Sequence, residues 1–165
     1  MENTIKDWIN PNSKIKFELL FRKSRDGSNG KDFHNFCDNK GPTLTLIQTG
    51  NGLKFGGYTS ISWQSPPYED KTDNETFLFS LDTLKKFTKY KDGYSIRLNK
   101  DYGPLFGTGH DLRIETNMND GQSQSGGNFL RNQELTNGST NFKVNELKFL
   151  KLILIEVNKN FYYLV

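Results

Sequence analysis

The chain has 165 residues, a formal net charge of +3 and 25% charged residues, which is the length of one domain with a real core and lacks the dense basic stripe of a nucleic-acid binder. A single cysteine excludes an internal disulfide framework and a four-cysteine zinc site. Hydrophobic residues reach only 33%, but thirteen Phe and seven Tyr bring rings large enough to fill a core.

Residues 2–10 place Ile5, Trp8 and Ile9 at helical spacing, and Pro11 ends that helix. The N-terminal stretch lacks the basic start and apolar region of a signal peptide, and no run nears the roughly 18 apolar residues that cross a bilayer. A cytoplasmic chain with no membrane insertion is therefore expected. Lys14–Arg22 reads as a strand with Ile15, Phe17 and Leu19 on one face, and Ser24 to Gly27 as a turn. Asp32–Cys37 reads as a helix with Phe33, Phe36 and Cys37 on one side, closed by Gly41 and Pro42. From there the rhythm is β. Thr43–Thr49 runs into the turn Gly50-Asn51-Gly52, and Leu53–Trp63 runs back. Phe77–Leu81, Tyr94–Leu98, Asp111–Thr116 and Phe142–Glu156 complete the expected strands. The polar stretches 65–75 and 117–141 read as loops, the second long and mobile. Many short strands between Gly and Asn turns predict a mainly β fold: a two-sheet antiparallel sandwich with short flanking helices. Its expected core includes Phe17, Leu19, Leu44, Leu46, Phe55, Phe77, Phe79, Leu112 and Ile114.

Candidate chemistry is sparse. Cys37 falls late in its helix beside Asp38, where negative charge and carbonyl ends disfavour a thiolate, so it reads as a small buried hydrophobe. His34 and His110 do not have the spacing of a metal site with Cys37, and a hydrogen-bonding role between turn and strand is expected for each. Arg22, Arg25, Asp26 and Asp111 flank apolar strands and suggest a structural network of arginines and carboxylates. Gly56-Gly57 inside a strand implies a bulge or a close approach by a ring or backbone. The Gly103–Gly109 run precedes a strand instead of opening a helix, so it is a turn and not a phosphate loop. Trp63, Tyr58, Tyr68 and Phe87 could line a glycan groove, a reading that competes with ordinary packing.

Taken in order, SRDG at 24–27, FHNFCDNKGPTLTLI at 33–47, FGGYTSISW at 55–63, FLFSL at 77–81 and YGPLFGTGHDLRI at 102–114 resemble the TLDc domain family. The resemblance covers about residues 14–150. It implies a TLDc domain over 14–157, preceded by a short helix and linker at 1–13 and followed by a tail at 158–165. The motifs carry Asp26, Gly27, His34, Cys37, Asp38, Gly56, Gly57, Trp63, Gly109, His110 and Asp111 as structural positions. The family implies a non-enzymatic interaction module without cofactor or metal, linked to oxidative-stress protection. The implied partners are vacuolar proton ATPase subunits, reached from the cytoplasm or peripherally on endomembranes, with the chain a monomer outside such complexes. Surface contacts are expected at Arg25, Tyr68 and Arg131, with no nucleic acid involved. A structural component of a larger assembly and a glycan-binding sandwich are the alternatives, with a thiol redox enzyme a remoter one.

Overall fold

The computed structural model describes residues 2–155, so the expected tail at 158–165 and the expected strand end at Glu156 lie outside the described residues. The helices are α1 (Glu2–Ile9), α2 (Lys23–Asp26) and α3 (Gly30–Cys37). The strands are β1 (Lys14–Arg22), β2 (Thr43–Thr49), β3 (Lys54–Thr59), β4 (Glu69–Lys71), β5 (Phe77–Ser80) and β6 (Lys85–Thr88). They continue as β7 (Ile96–Leu98), β8 (Leu105–Phe106), β9 (Leu112–Ile114), β10 (Asp120–Gln122) and β11 (Asn141–Ile155). No helix among the described residues is long and apolar enough to cross a membrane.

Every strand pairing is antiparallel, and the hydrogen-bonded path runs β4-β7-β8-β9-β10-β11-β2-β3-β5-β6. β1 also pairs with β11. The 15-residue β11 is the branch point. Its start pairs with β10 through Asn141, Phe142 and Lys143, while Lys148 to Ile155 pair with β1. β2 occupies its other edge. The expected pair of sheets is thus one hydrogen-bonded surface that divides at β11 into two groups of strands. The groups share a core: Ile47, Phe55, Leu78 and Phe149 from one, and Ile96, Leu98, Phe106, Leu112 and Ile114 from the other. A second core lies on the opposite face of the first group, where Ile5, Leu44, Tyr58, Phe77 and Phe79 cluster and Trp8 packs edge-on to Phe77. The amphipathic α1 covers that face because Ile5 and Trp8 point into it.

Three expected core residues sit differently. Leu19 is exposed, and Phe17 and Leu46 are half-buried. Among the described residues β1 pairs with β11 alone and so lies at the rim of the sheet, where Phe17 packs only partly against the second core. A register shift between Leu19 and Phe21 then changes the parity, pairing Leu19 with Leu150 but Phe21 with Phe149. Phe21 thereby enters the inner core, fully buried. Phe55 and Tyr58 fall in the two different cores, as strand alternation requires. The strand expected over Leu53–Trp63 ends at Thr59. Ser24 to Asp26 belong to one turn of helix, with Gly27 at φ 119° after it. The stretch 117–141 is not a mobile surface loop: it contains β10, and Met118, Asn128, Phe129, Leu130 and Leu135 are buried.

Candidate functional site

α3 is set by a capping box in which Asn29 accepts from the Asp32 N–H and the Asp32 carboxylate accepts from the Asn29 N–H. The helix carries His34 inward. Its Nδ1 lies 2.7 Å from Asp38 Oδ1, and its Nε2 lies 2.9 Å from the Asn99 carbonyl and 3.2 Å from that of Tyr102. His34 therefore holds the 99–102 turn against α3, and the Asp38 carboxylate accepts a further bond from Ser65. One helical turn on, Cys37 is fully buried in the inner core. Burial pushes its thiol well above the ordinary range, and the charge of Asp38 pushes it further. Alkylation of native Cys37 is expected to be slow and to accelerate by orders of magnitude on unfolding, as thiol labelling with and without denaturant would reveal. Rapid native labelling would restore a reactive thiol. Among the described residues no three His, Cys, Asp or Glu side chains gather as a metal-binding group.

Asp111 follows the turn Gly107–His110, in which Gly107, Gly109 and His110 all take positive φ. Its carboxylate is buried and forms no ion pair with an arginine among the described residues, contrary to the network expected from the sequence. It accepts instead from three consecutive backbone N–H groups, of Asn128 at 2.9 Å, Phe129 at 3.2 Å and Leu130 at 2.8 Å. Burial raises its carboxyl above the usual range, and these N–H groups oppose the shift. Asn128 extends the clamp by accepting from the Thr108 N–H and donating to the Tyr94 carbonyl.

Tyr94 leads into β7, where it joins a group of aromatic and charged side chains from β4 and β7. The Arg97 guanidinium lies between two rings, 4.4 Å from the Tyr68 centroid and 4.7 Å from that of Tyr94. Arg97 donates to both oxygens of Asp70 on β4, at 2.8 and 3.2 Å. It donates as well to His110 Nε2 at 3.3 Å, which leaves that nitrogen without a proton. Burial and the nearby Arg113 and Arg97 favour the same neutral imidazole, lowering the His110 pKa. Tyr68 is 57% exposed and donates to Asp70. The sequence reading found Tyr68 and His110 but not Arg97, Tyr94 or Asp70, because the five meet only after β4 pairs with β7.

Arg25 lies elsewhere. It donates to both oxygens of Asp26 at 2.7 Å, and Asp26 also accepts from the Arg22 N–H. The Arg22 side chain goes instead to Glu146 on β11, 2.8 Å away, together with the Ser24 hydroxyl at 2.6 Å. Partial burial pushes the Glu146 carboxyl up, but the bonds from Ser24 and Arg22 outweigh it and hold the group at about 2. A folded value below the ordinary 4.5 means that stability from Glu146 is present above that pH and fades as pH falls toward 2. Relative to wild type, Glu146→Gln is expected to lose roughly 2 kcal/mol near neutrality, with the gap closing below about pH 4. Urea midpoints across the acid range would check this. A gap that stays constant with pH would contradict it.

Arg131, the third expected contact residue, lies 4.4 Å over the Tyr90 ring. Tyr90 is fixed by donating its hydroxyl to the Gly127 carbonyl at 2.9 Å. Arg25, Tyr68 and Arg131 thus belong to three separate groups with no shared partner. Trp63 is buried and donates to the Thr43 hydroxyl at 2.9 Å, and Tyr58 is buried too, so neither ring is available to a glycan.

The family described as the TLDc domain matches residues 2–147. The chain is also similar to proteins called MTOR-associated protein MEAK7. It is 33% identical to that of Gallus gallus over 82 residues, which are 48% of this chain and 17% of that protein. With that of Mus musculus it shares 31% over 71 residues, 43% of this chain and 15% of that protein. With that of Danio rerio it shares 31% over 81 residues, 47% of this chain and 18% of that protein. The matched segment is less than a fifth of each relative's length.

Proposed function

Because this chain belongs to the TLDc domain family, we propose that it is a non-enzymatic, cytoplasmic interaction module that captures a partner protein through its surface turns. The observation that carries this reading is the exposed Tyr68 ring stacked on the half-buried Arg97 and Tyr94, backed by the Asp111 clamp. Tyrosine and arginine dominate interface energetics because they offer large, rigid contact area and several donors at once. The most reactive side-chain types point the same way, since Cys37 and His34 are spent inside the fold. Subunits of the vacuolar proton ATPase are the partner we propose, and oxidative-stress protection is the proposed outcome of that contact. The relatives carry a name that associates them with MTOR, and a partner from that assembly is the second reading.

The test is binding of purified proton-pump subunits to the parent domain and to Tyr68→Ala, Arg131→Ala and Arg25→Ala, each beside a melting curve. Tyr68→Ala is expected to weaken capture about tenfold or more and Arg25→Ala least, with every melting midpoint within a few degrees of the parent. If the three variants all bind as the parent does, the contact face is misplaced. If the parent binds no pump subunit, the named partner is wrong, and the same assay against MTOR-associated proteins decides the second reading.

A further inference from the structure

At one end of the strand path, β6 pairs with β5 alone among the described residues, leaving a backbone edge open. The run from Lys85 to Lys91 has four lysines in seven residues. None of these lysines, nor Arg131, makes an ion pair among the described residues. Three of the lysine ammonium groups turn to carbonyls instead. Lys86 donates to that of Trp8 at 2.6 Å, Lys89 to that of Gly93 at 3.3 Å and Lys91 to that of Gly126 at 2.6 Å. Tyr90 gathers two of the cations, with Lys91 Nζ 5.6 Å and Arg131 Cζ 4.4 Å from its ring centroid. The nearby acids are Asp82, which accepts from the Lys54 N–H, and Asp92, and neither forms an ion pair with these lysines among the described residues.

The opposite end of the path differs in kind. There β4 carries Glu69, Asp70 and Lys71, and all three are neutralised within the protein, Lys71 by Glu69 and Asp70 by Arg97. One edge strand therefore has its charges paired, and the other carries an excess of lysines outside any ion pair among the described residues. Lysines on a free edge deter pairing with neutral or basic strands, because each approaching chain must face them. For an acidic strand the same lysines act in reverse, contributing charge complementarity beside the main-chain hydrogen bonds.

We propose that the outer edge of β6, with Lys85, Lys89, Lys91 and Arg131, docks an acidic extended segment of a partner protein that adds as a further strand. This deepens the reading of the chain as an interaction module and rests on it for its biological sense. It concerns a surface separate from the Tyr68 stack. A sheet edge favours a peptide over a membrane, since backbone pairing needs a chain with its own N–H and C=O groups.

The experiment titrates the whole chain with a ten-residue peptide of alternating glutamate and valine, by calorimetry at low salt, and follows amide exchange over residues 85–88. Saturable binding is expected, with slowed exchange at those amides and marked weakening as salt shortens the reach of the charges. An N-methylated version of the peptide should bind at least tenfold more weakly, and so should the parent peptide to Lys85→Glu/Lys91→Glu. The neutral pair Lys85→Gln/Lys91→Gln, with a melting curve for each variant, separates lost attraction from lost fold. No binding, binding without protection of 85–88, or binding untouched by charge reversal would each overturn the proposal. Binding to phosphatidylserine vesicles in place of the peptide would also overturn it. Capture of pump subunits without peptide binding removes the edge proposal alone, and peptide binding without pump capture removes only the named partner.

Discussion

Asp111→Ala is expected to destabilise the protein by about 3–6 kcal/mol, because three backbone N–H groups lose their acceptor while still buried. Each such donor left unsatisfied costs roughly 1–3 kcal/mol. The packing is equally unforgiving. A Cβ at Gly107 or Gly127 would fall 2.0 or 2.1 Å from Asp111 Oδ2, so both glycines exist to let the chain close on this one side chain. Asp111→Asn keeps the shape and one acceptor oxygen, enough for the Phe129 and Leu130 N–H groups, but turns its N–H₂ toward the Asn128 N–H. It should lose less than alanine and more than a surface change. Urea denaturation of the three proteins, with amide exchange at 128–130, checks the order. A loss below about 1 kcal/mol for Asp111→Ala would mean that those N–H groups find other partners, and the clamp would then have no role in holding 117–141.

Gly56→Ala is expected to be at least as damaging, at about 3 kcal/mol or more, the upper end for overpacked cores. Its added carbon would sit 1.9 Å from the Thr45 carbonyl oxygen, a backbone atom of the neighbouring strand, and 2.9 Å from Phe79 Cζ. Gly57→Ala meets a different obstacle, the Phe106 ring at 2.7 Å and Leu78 Cδ2 at 3.0 Å. The two substitutions therefore separate under rescue. Phe106→Leu should recover part of the loss in Gly57→Ala, because the obstacle is a side chain. Phe79→Leu should recover little in Gly56→Ala, because the carbonyl remains. Melting midpoints of the single and double variants decide it. Equal rescue of both would refute the assignment of one glycine to a backbone contact and the other to a ring.

The sequence carried much of this fold in its alternation. Leu44 and Phe79 are buried where strand parity puts them, and the glycine pair in β3 meets a ring and a backbone as its chemistry demands. Strands β4, β6 and β10 escaped notice because each carries at most one apolar side chain, and β8 because it is two residues inside a glycine-rich run. The 117–141 stretch misled for a specific reason. Its Asn, Gly and Ser look solvent-seeking, but Ser123 and Asn128 are buried making hydrogen bonds to the Asp111 carbonyl and the Tyr94 carbonyl. Polar composition marked a segment rich in hydrogen bonds, not a segment in water. The Arg97 stack was illegible because its members come from three distant stretches of chain, and only Tyr68 among them stood out as an exposed ring. The lysines around β6 could have been found, since four in seven residues is a visible run, but nothing in the sequence says that they lack carboxylate partners.

The placement of β11 has a consequence for how the chain reaches this state. Lys14 pairs with Ile155 and Thr49 with Val144, so strands formed from the first third of the chain find their neighbour among the last residues described. A ribosome releases β1 and β2 long before β11 exists. Until then β1 has no partner strand, β2 has only β3, and the apolar rings of both cores stay in reach of other chains. Contacts of such sequence separation also make spontaneous folding slow, on the order of milliseconds to seconds. The interval between synthesis of β2 and synthesis of β11 is thus the period in which this protein is most open to aggregation and most dependent on chaperones.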